Sequence, residues 1–525
     1  MHNLFPLFIA MITAIVLLEM LATKLRVAYP ILLVLAGLIV SFIPTLPVVT
    51  IDPDVIFLIF LPPLLCEAAW SISYKEMKKW WRIIGSFAFL VVFFTALSVA
   101  VVANHYIPGF TLAMGFLLGG IVSPPDAVST GAIMKFVKVP KSTSAILEGE
   151  SLLNDASSLI IVRFALIAVG MGQFVWQEAA VSFIWMLVGG VGIGLLLGWF
   201  FIQAHKRLPT DAPSDIALTL IEPYFMYWIA EQFHSSGVLA VVAGGLLMSN
   251  QRLKFLNSTS RVRGLSVWES FVFILNGIVF FIIGLDLPEI VAGLRANGTS
   301  LREAIGYGLL VTAVLILARM ISAYAAMVAT LIFRPSVAPR ARSLKQRFFM
   351  PLLLGWTGMR GVVSLAAALS IPLVMNGTVM PQRHLILFIT FVVILSTLLV
   401  QGLTLPYLIR RVGLSDFFAE ESEQVAKQQM KQGLKQHVYQ FLKDKYEKEE
   451  HNREAMERIL KHWEEKANAA DDSWMNERTK VIFIELLDVQ REYLEKLNSE
   501  SEIDEDLIRS QLYQIDLEEE RLRMI

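Results

Sequence analysis

Gly119-Gly120-Ile121-Val122-Ser123-Pro124-Pro125-Asp126 sets two consecutive prolines and a carboxylate at the end of an apolar run, Phe110 to Leu118. Pro124 and Pro125 lack backbone donors and clash with the preceding turn, so a helix entering this stretch must break. A second stretch, Glu148-Gly149-Glu150-Ser151-Leu152-Leu153-Asn154-Asp155, follows, and Ala156 to Met171 after it carries a single charge, Arg163. Hydropathy puts both stretches inside a membrane. A charged side chain at the bilayer centre costs at least about 2.5–3.5 kcal/mol on insertion scales, which makes an intramembrane carboxylate a functional candidate. Broken backbone at that depth is tolerated only where it is buried in protein or lines a cavity. Together the two stretches predict a site for a cation and a proton.

Composition agrees with a membrane setting. Of 525 residues, 55% are hydrophobic and 17% charged, and the mean hydropathy is +0.59, which is too apolar for a soluble protein. The one cysteine, Cys66, excludes an intramolecular disulfide framework and offers no metal cluster. Met1 to Met20 lacks a basic n-region and a small-residue cleavage site, so it reads as a first spanning helix. The net charge of −1 conceals a division: from Asp416 onward there are 28 acidic and 17 basic residues, whereas the preceding chain holds 18 acidic and 28 basic. Two parts are expected, a membrane body over residues 1–411 and an acidic tail over 412–525.

Apolar runs of roughly 20 residues number thirteen, near 3–22, 28–45, 54–73, 82–104, 110–134, 147–170, 176–203, 215–233, 236–250, 267–287, 303–332, 348–375 and 384–409. With that parity, the loops on the tail side hold 22 basic residues, and the opposite loops hold only Arg295, Arg302 and Arg383. The positive-inside rule then places the amino terminus outside and the tail in the cytoplasm. The fifth run is interrupted by Ser123-Pro124-Pro125-Asp126 and the twelfth by Gly355-Trp356-Thr357-Gly358-Met359-Arg360-Gly361. Seven spans apart, they traverse the membrane in opposite directions, as an inverted repeat requires. Two crossed broken helices bring like helix ends together, and Asp126 can serve the positive ends while Arg360 serves the negative ones. The expected fold is an all-α polytopic membrane protein of about thirteen transmembrane helices with inverted repeats. In the tail, Val438–Trp463, Val481–Leu497 and Leu507–Leu522 space apolar residues as amphipathic helices do.

The Ser123-Pro124-Pro125-Asp126-Ala127-Val128 and Glu148-to-Asp155 stretches resemble those of NhaP-type bacterial sodium/proton antiporters, relatives of the eukaryotic NHE exchangers. The likeness runs through the membrane body, including Leu61-Pro62-Pro63-Leu64-Leu65-Cys66-Glu67, Trp268-Glu269 with Asn276-Gly277, Arg319, and Gly358-Met359-Arg360-Gly361. The resemblance implies that Asp155 alternately binds a cation or a proton and that Asn154 marks the electroneutral, one-for-one branch. Ser151 would offer its hydroxyl, and Asp126 with the backbone at Pro125 would complete the shell, so Na+ would lie at Asp155, Asp126 and Ser151. Pro125 stands where the family often has Thr or Val, which removes a possible hydroxyl ligand. Glu67 would reach the site directly or through water. Glu150 would pair with Arg360, and Glu269 with Arg319. The resemblance also implies a homodimer, for which the first span, carrying Glu19, is a candidate surface.

The chemistry of the residues fits these roles. Ser151 and Asp155 share one helix face and Asn154 borders it. Carboxylate, hydroxyl, amide and main-chain carbonyl oxygens suit a hard monovalent cation. A carboxylate taken out of water favours its neutral form, so a proton can compete with the cation, and that competition suffices for exchange. The expected activity is exchange of Na+ or Li+ for H+ in a bacterial inner membrane, contributing to pH homeostasis, with no cofactor, no enzyme activity and no nucleic-acid partner. K+/H+ exchange, a cation channel and an ion-occupancy sensor are the alternatives. Taken alone, Asp126 could be a helix N-cap, Asp155 a buried structural carboxylate, and Glu67 an interfacial cap. Glu222-Pro223 could line a cavity or cap a helix. Arg163 has no evident role, and the eight histidines show no metal-ligand spacing.

Overall fold

The computed structural model describes residues 4–25, 29–43, 53–72, 74–126, 141–171, 176–296, 298–333, 344–375 and 378–412, with a few tail positions at 436, 440, 484, 486–490, 514–519 and 521–522. The chain divides into two compact units, Met1–Phe417 and Phe418–Ile525. The first is helical: α1 (Leu4–Leu25), α2 (Tyr29–Ser41), α3 (Pro53–Ser71), α4 (Tyr74–Gly85), a π-helical stretch (Ser86–Val91), α5 (Val92–Tyr106), α6 (Leu112–Val122), α7 (Lys141–Met171) and α8 (Trp176–Arg207). It continues with α9 (Ala212–Gln232), α10 (Gly237–Phe255), α11 (Ser258–Leu285), α12 (Leu287–Ala296), α13 (Leu301–Phe333), α14 (Leu344–Trp356), α15 (Val362–Leu369) and α16 (Arg383–Val412). A two-residue hairpin, Val374–Met375 with Thr378–Val379, precedes α16.

Among the described residues, seven helical stretches are long and apolar enough to cross a membrane, in α1, α4–α5, α7, α8, α11–α12, α13 and α16. Three shorter apolar helices, α2, the latter part of α3, and α6, accompany them. The protein is an integral membrane protein. Lipid tails are as apolar as Leu, so helix association in this setting rests on close packing. On α6, a methyl added at Gly119 would strike the Ala96 carbonyl of α5, so glycine is what lets these two helices touch.

Three buried clusters organise the unit. The first joins Ile15 of α1, Leu33 of α2, Phe280 of α11, Leu365 of α15 and Ile394 of α16. The second joins Leu117 of α6, Val162 of α7, Val311 of α13 and Phe388 of α16. The third joins Leu61 of α3, Leu152 of α7, Ile202 of α8, Met226 of α9 and Val241 of α10. Helix α7 therefore sits between the second and third clusters, with its polar residues held between two apolar blocks.

The two interruptions read from the sequence are both present. Helix α6 stops at Val122 and the chain runs non-helically through Pro124 to Asp126. Helices α14 and α15 are separated by Thr357 to Gly361. The breaks meet, with the Asp126 N–H donating to the Met359 carbonyl at 2.7 Å. In the second unit, Leu487, Ile515 and Leu522 pack together. Positions 484, 486–490, 514–519 and 521–522 are helical, inside two of the three amphipathic segments expected. Nearly all of Val438–Trp463 lies outside the described residues.

Candidate functional site at the crossed helix breaks

Helix α7 delivers the polar residues in the order its periodicity dictates. Ser151 Oγ and Asn154 Nδ2 both donate to the Pro125 carbonyl, each at 3.3 Å. Both donors to this carbonyl come from α7 side chains, which tie that helix to the non-helical stretch after α6. Asp155 is 7% exposed and Asn154 and Glu150 are fully buried. Asn154 Oδ1 is buried with no hydrogen-bond partner among the described residues. Asp126 is half-buried, lies within electrostatic reach of Asp155 and packs against Gly361, where a methyl would collide with its carboxylate. Gly361 immediately precedes α15, so the Asp126 carboxylate faces the positive end of that half-helix.

Arg360 is fully buried and its donors go to main chain. Nε donates to the Val122 carbonyl at 2.8 Å, Nη2 to Ser123 at 3.2 Å, and Nη1 to Gly358. These are carbonyls that the broken helices leave without an intrahelical donor. A guanidinium carries five N–H donors in a fixed fork, which suits several carbonyls converging on one point. The Arg360 N–H donates in turn to Thr397 Oγ1 of α16 at 3.2 Å.

The ion pairs differ from those expected. Glu150 does not pair with Arg360; its carboxylate is held by Arg319 of α13, with Nη1 at 2.6 Å and Nη2 at 3.0 Å. Glu269 does not pair with Arg319; it is exposed and lies within electrostatic reach of Glu67, as does Glu148. The reason is competition for one guanidinium: the carbonyls at the break occupy Arg360, and Glu150 takes the next cation available. Both arginines crowd the second break. A Cβ on Gly358 would lie 2.7 Å from Arg319 Nε and 2.8 Å from Arg360 Nη1, which leaves room only for glycine. Glu67, on the proline-bearing α3, is half-buried.

The profile of the family described as sodium/hydrogen exchanger, transmembrane, matches residues 8–411. The chain belongs to this family. A sodium, potassium, lithium and rubidium/proton antiporter of Bacillus pumilus is 32% identical over 387 residues, covering 72% of this chain and 57% of the relative. A Mycobacterium bovis protein named as an uncharacterized Na+/H+ exchanger is 29% identical over 539 residues, covering 98% and 95%. The solved sodium/proton antiporter MjNhaP1 of Methanocaldococcus jannaschii has the same fold, with a TM-score of 0.61 at 18% identity over 78% of this chain and 98% of that one.

The exchanger also uses residues that sequence reading did not select. Ser158 Oγ donates to the Gly120 carbonyl at 2.6 Å, and Ser157 Oγ to Ala88 in the π-helical stretch, tying α7 to both neighbours. Ser158 follows Ser151 by seven residues, so helical spacing could have found it. Thr397 had no such signal, because only the fold of α16 brings it to Arg360. Arg163 contacts Glu231 at 3.9 Å, and both side chains are well exposed. Such pairs contribute about 0–1 kcal/mol, so Arg163→Ala is expected to leave unfolding temperature and exchange near wild type. Gly361→Ala is expected to push Asp126 out of place at an overpacking cost of about 1–3 kcal/mol. Its check is the sodium-dependent rise in unfolding temperature, which should be smaller than in the wild type.

Proposed function

We propose that this exchanger moves one Na+ or Li+ in exchange for one proton, with Asp155 as the carboxylate for which the two ions compete. The observation that carries the reading is Asn154 Oδ1, a buried oxygen with no donor among the described residues, one position from buried Asp155. An oxygen taken out of water without a donor is costly, and a desolvated cation is the partner that would relieve it. Ser151 gives its hydrogen to Pro125, and a hydroxyl oxygen is a ligand type that a hard cation takes, so it can act as a third ligand. Asp126 adds charge from the opposite break and Pro125 its carbonyl. Carboxylates, a hydroxyl and an amide oxygen match a hard cation.

Exchange follows from occupancy. The site crosses carrying either a cation or a proton, whereas the empty site would carry an unpaired carboxylate through a low-dielectric interior. Movement of a core bundle, including α6, α7 and the α14–α15 break, against a scaffold would expose the site alternately to each side. Glu67, near Glu148 and Glu269, would draw cations towards it or reach it through water. The 22-to-3 distribution of basic loop residues supports an outside amino terminus and a cytoplasmic tail in a bacterial inner membrane. The family resemblance supports a homodimer, with α1 a candidate surface.

The test is dye-reported proton movement in proteoliposomes on addition of Na+, Li+ and K+ in turn. Cation-driven proton movement by Na+ or Li+ is expected, and cation flux without protons would overturn the reading. A K+/H+ exchanger is the second reading. Pro125, with no side-chain hydroxyl, leaves it open, and the name of the Bacillus pumilus relative includes potassium beside sodium and lithium. K+ outranking Na+ in the same assay would establish it.

A further inference from the structure

Away from the crossed breaks, α8, α9 and α11 bury a second group of titratable side chains. His205, in the last turn of α8, has both ring nitrogens on carboxylates of α9: Nδ1 is 3.0 Å from Asp215 Oδ1, and Nε2 is 2.7 Å from Glu222 Oε1. The three side chains are 0%, 4% and 2% exposed. Ser260 of α11 donates to the second Asp215 oxygen at 2.8 Å, Thr210 of the α8–α9 loop also bonds Asp215, and the Phe255 ring of α10 lies 5.1 Å from the imidazole. From α3, the Cys66 thiol is within electrostatic reach of Glu222. Among the described residues, His205 is the one cation paired with either carboxylate. Glu222, which the sequence left as a cavity or cap residue, lies mid-helix in α9 and serves His205.

The geometry fixes the number of protons. A neutral imidazole has one N–H and can donate to one carboxylate only. Two hydrogen bonds to two carboxylates therefore need two protons among the three groups. They are held either by an imidazolium between two anions or by a neutral imidazole with one protonated carboxyl, and in both cases the net charge is −1. Loss of one proton leaves two buried anions with one N–H between them, and a nitrogen lone pair facing a carboxylate. That arrangement repels and leaves buried polar atoms unpaired.

We propose that His205, Asp215 and Glu222 form a second proton-binding site, separate from Asp155, whose proton clamps α8, α9 and α11 together and whose loss as pH rises loosens them. The clamp lies at the end of α8 next to Lys206 and Arg207, on the basic-loop side. In the proposed orientation it responds to cytoplasmic pH.

The test is the unfolding temperature of the purified full chain in detergent from neutral to alkaline pH, for wild type, His205→Gln, Glu222→Gln and Ser260→Ala. The protonated clamp stabilises the fold below the pH at which its proton leaves and loses that contribution above it. The gap between wild type and His205→Gln is therefore expected to narrow as pH rises. Removing an anion beside the imidazole should move proton loss in Glu222→Gln down by about one pH unit. Removing a donor from Asp215 makes that carboxylate hold its proton more tightly, so Ser260→Ala should move proton loss up. Curves displaced from wild type by the same amount at every pH would overturn the proposal and leave a purely structural cluster. If His205→Gln does not accumulate, the opposite shifts in the other two variants decide the matter, and their absence overturns it. Wild-type exchange in proteoliposomes tests the transport reading separately, since the stability curves do not depend on it.

Discussion

Asp155→Asn is expected to abolish cation-driven proton movement in proteoliposomes, leaving a signal equal to protein-free vesicles, while the protein still folds. Asparagine keeps the shape of the side chain, so the packing of α7 between its two apolar clusters is preserved. It removes the charge that attracts the cation and the group that takes the proton, and both halves of the exchange fail together. A binding measurement separates this from a folding defect. A ligand present at a hundredfold excess over its Kd stabilises the fold that binds it by about 2.7 kcal/mol. Wild type should therefore gain unfolding temperature on titration with Na+, and Asp155→Asn should not. Full exchange by the variant would make Asp155 a structural carboxylate and defeat the proposed mechanism.

Arg319→Met is expected to destabilise the protein by about 3–5 kcal/mol, because it leaves the fully buried Glu150 carboxylate without its bidentate partner. The double variant Glu150→Gln with Arg319→Met should recover most of that loss, since the unpaired charge is gone. Glu269→Gln, at an exposed position, should stay within about 0.5 kcal/mol of wild type. Unfolding temperatures in detergent at one pH check all three. If Arg319→Met is as stable as wild type while Glu269→Gln is severely unstable, the observed pairing is wrong and the expected one is right. Arg360 is a different case: no second carboxylate change should rescue its loss, because its donors go to three main-chain carbonyls that cannot be mutated away.

Much of the fold could be read before the structure because its signals are local. An apolar run of spanning length, a tandem proline or a glycine-rich interruption acts on the few residues around it. Each of the apolar runs contains a helix among the described residues; in the fifth the helix stops at the marked break, and in the twelfth there is one on either side of it. The polar face of α7 was legible for the same reason, since Ser151, Asn154 and Asp155 follow helical spacing. The pairing of charges was not. Glu150 and Arg319 are 169 residues apart in the chain, and Arg319 and Arg360 look alike in sequence, each a lone arginine in an apolar run. Family likeness supplied one assignment, and the carbonyls exposed at the break imposed another.

His205 illustrates the same division. As one of eight histidines without ligand spacing it carried no signal, and Glu222 beside Pro223 had two open readings. The sequence by itself determined that the chain is a bundle of membrane helices, where two of them break, and which face of α7 is polar, because hydropathy, proline chemistry and helical periodicity are properties of neighbouring residues. The tertiary structure alone decided that Arg360 serves main-chain carbonyls, that Arg319 neutralises Glu150, and that His205 sits between Asp215 and Glu222. Those contacts join distant segments, and a buried donor goes to whichever acceptor the packed helices leave unpaired within its reach.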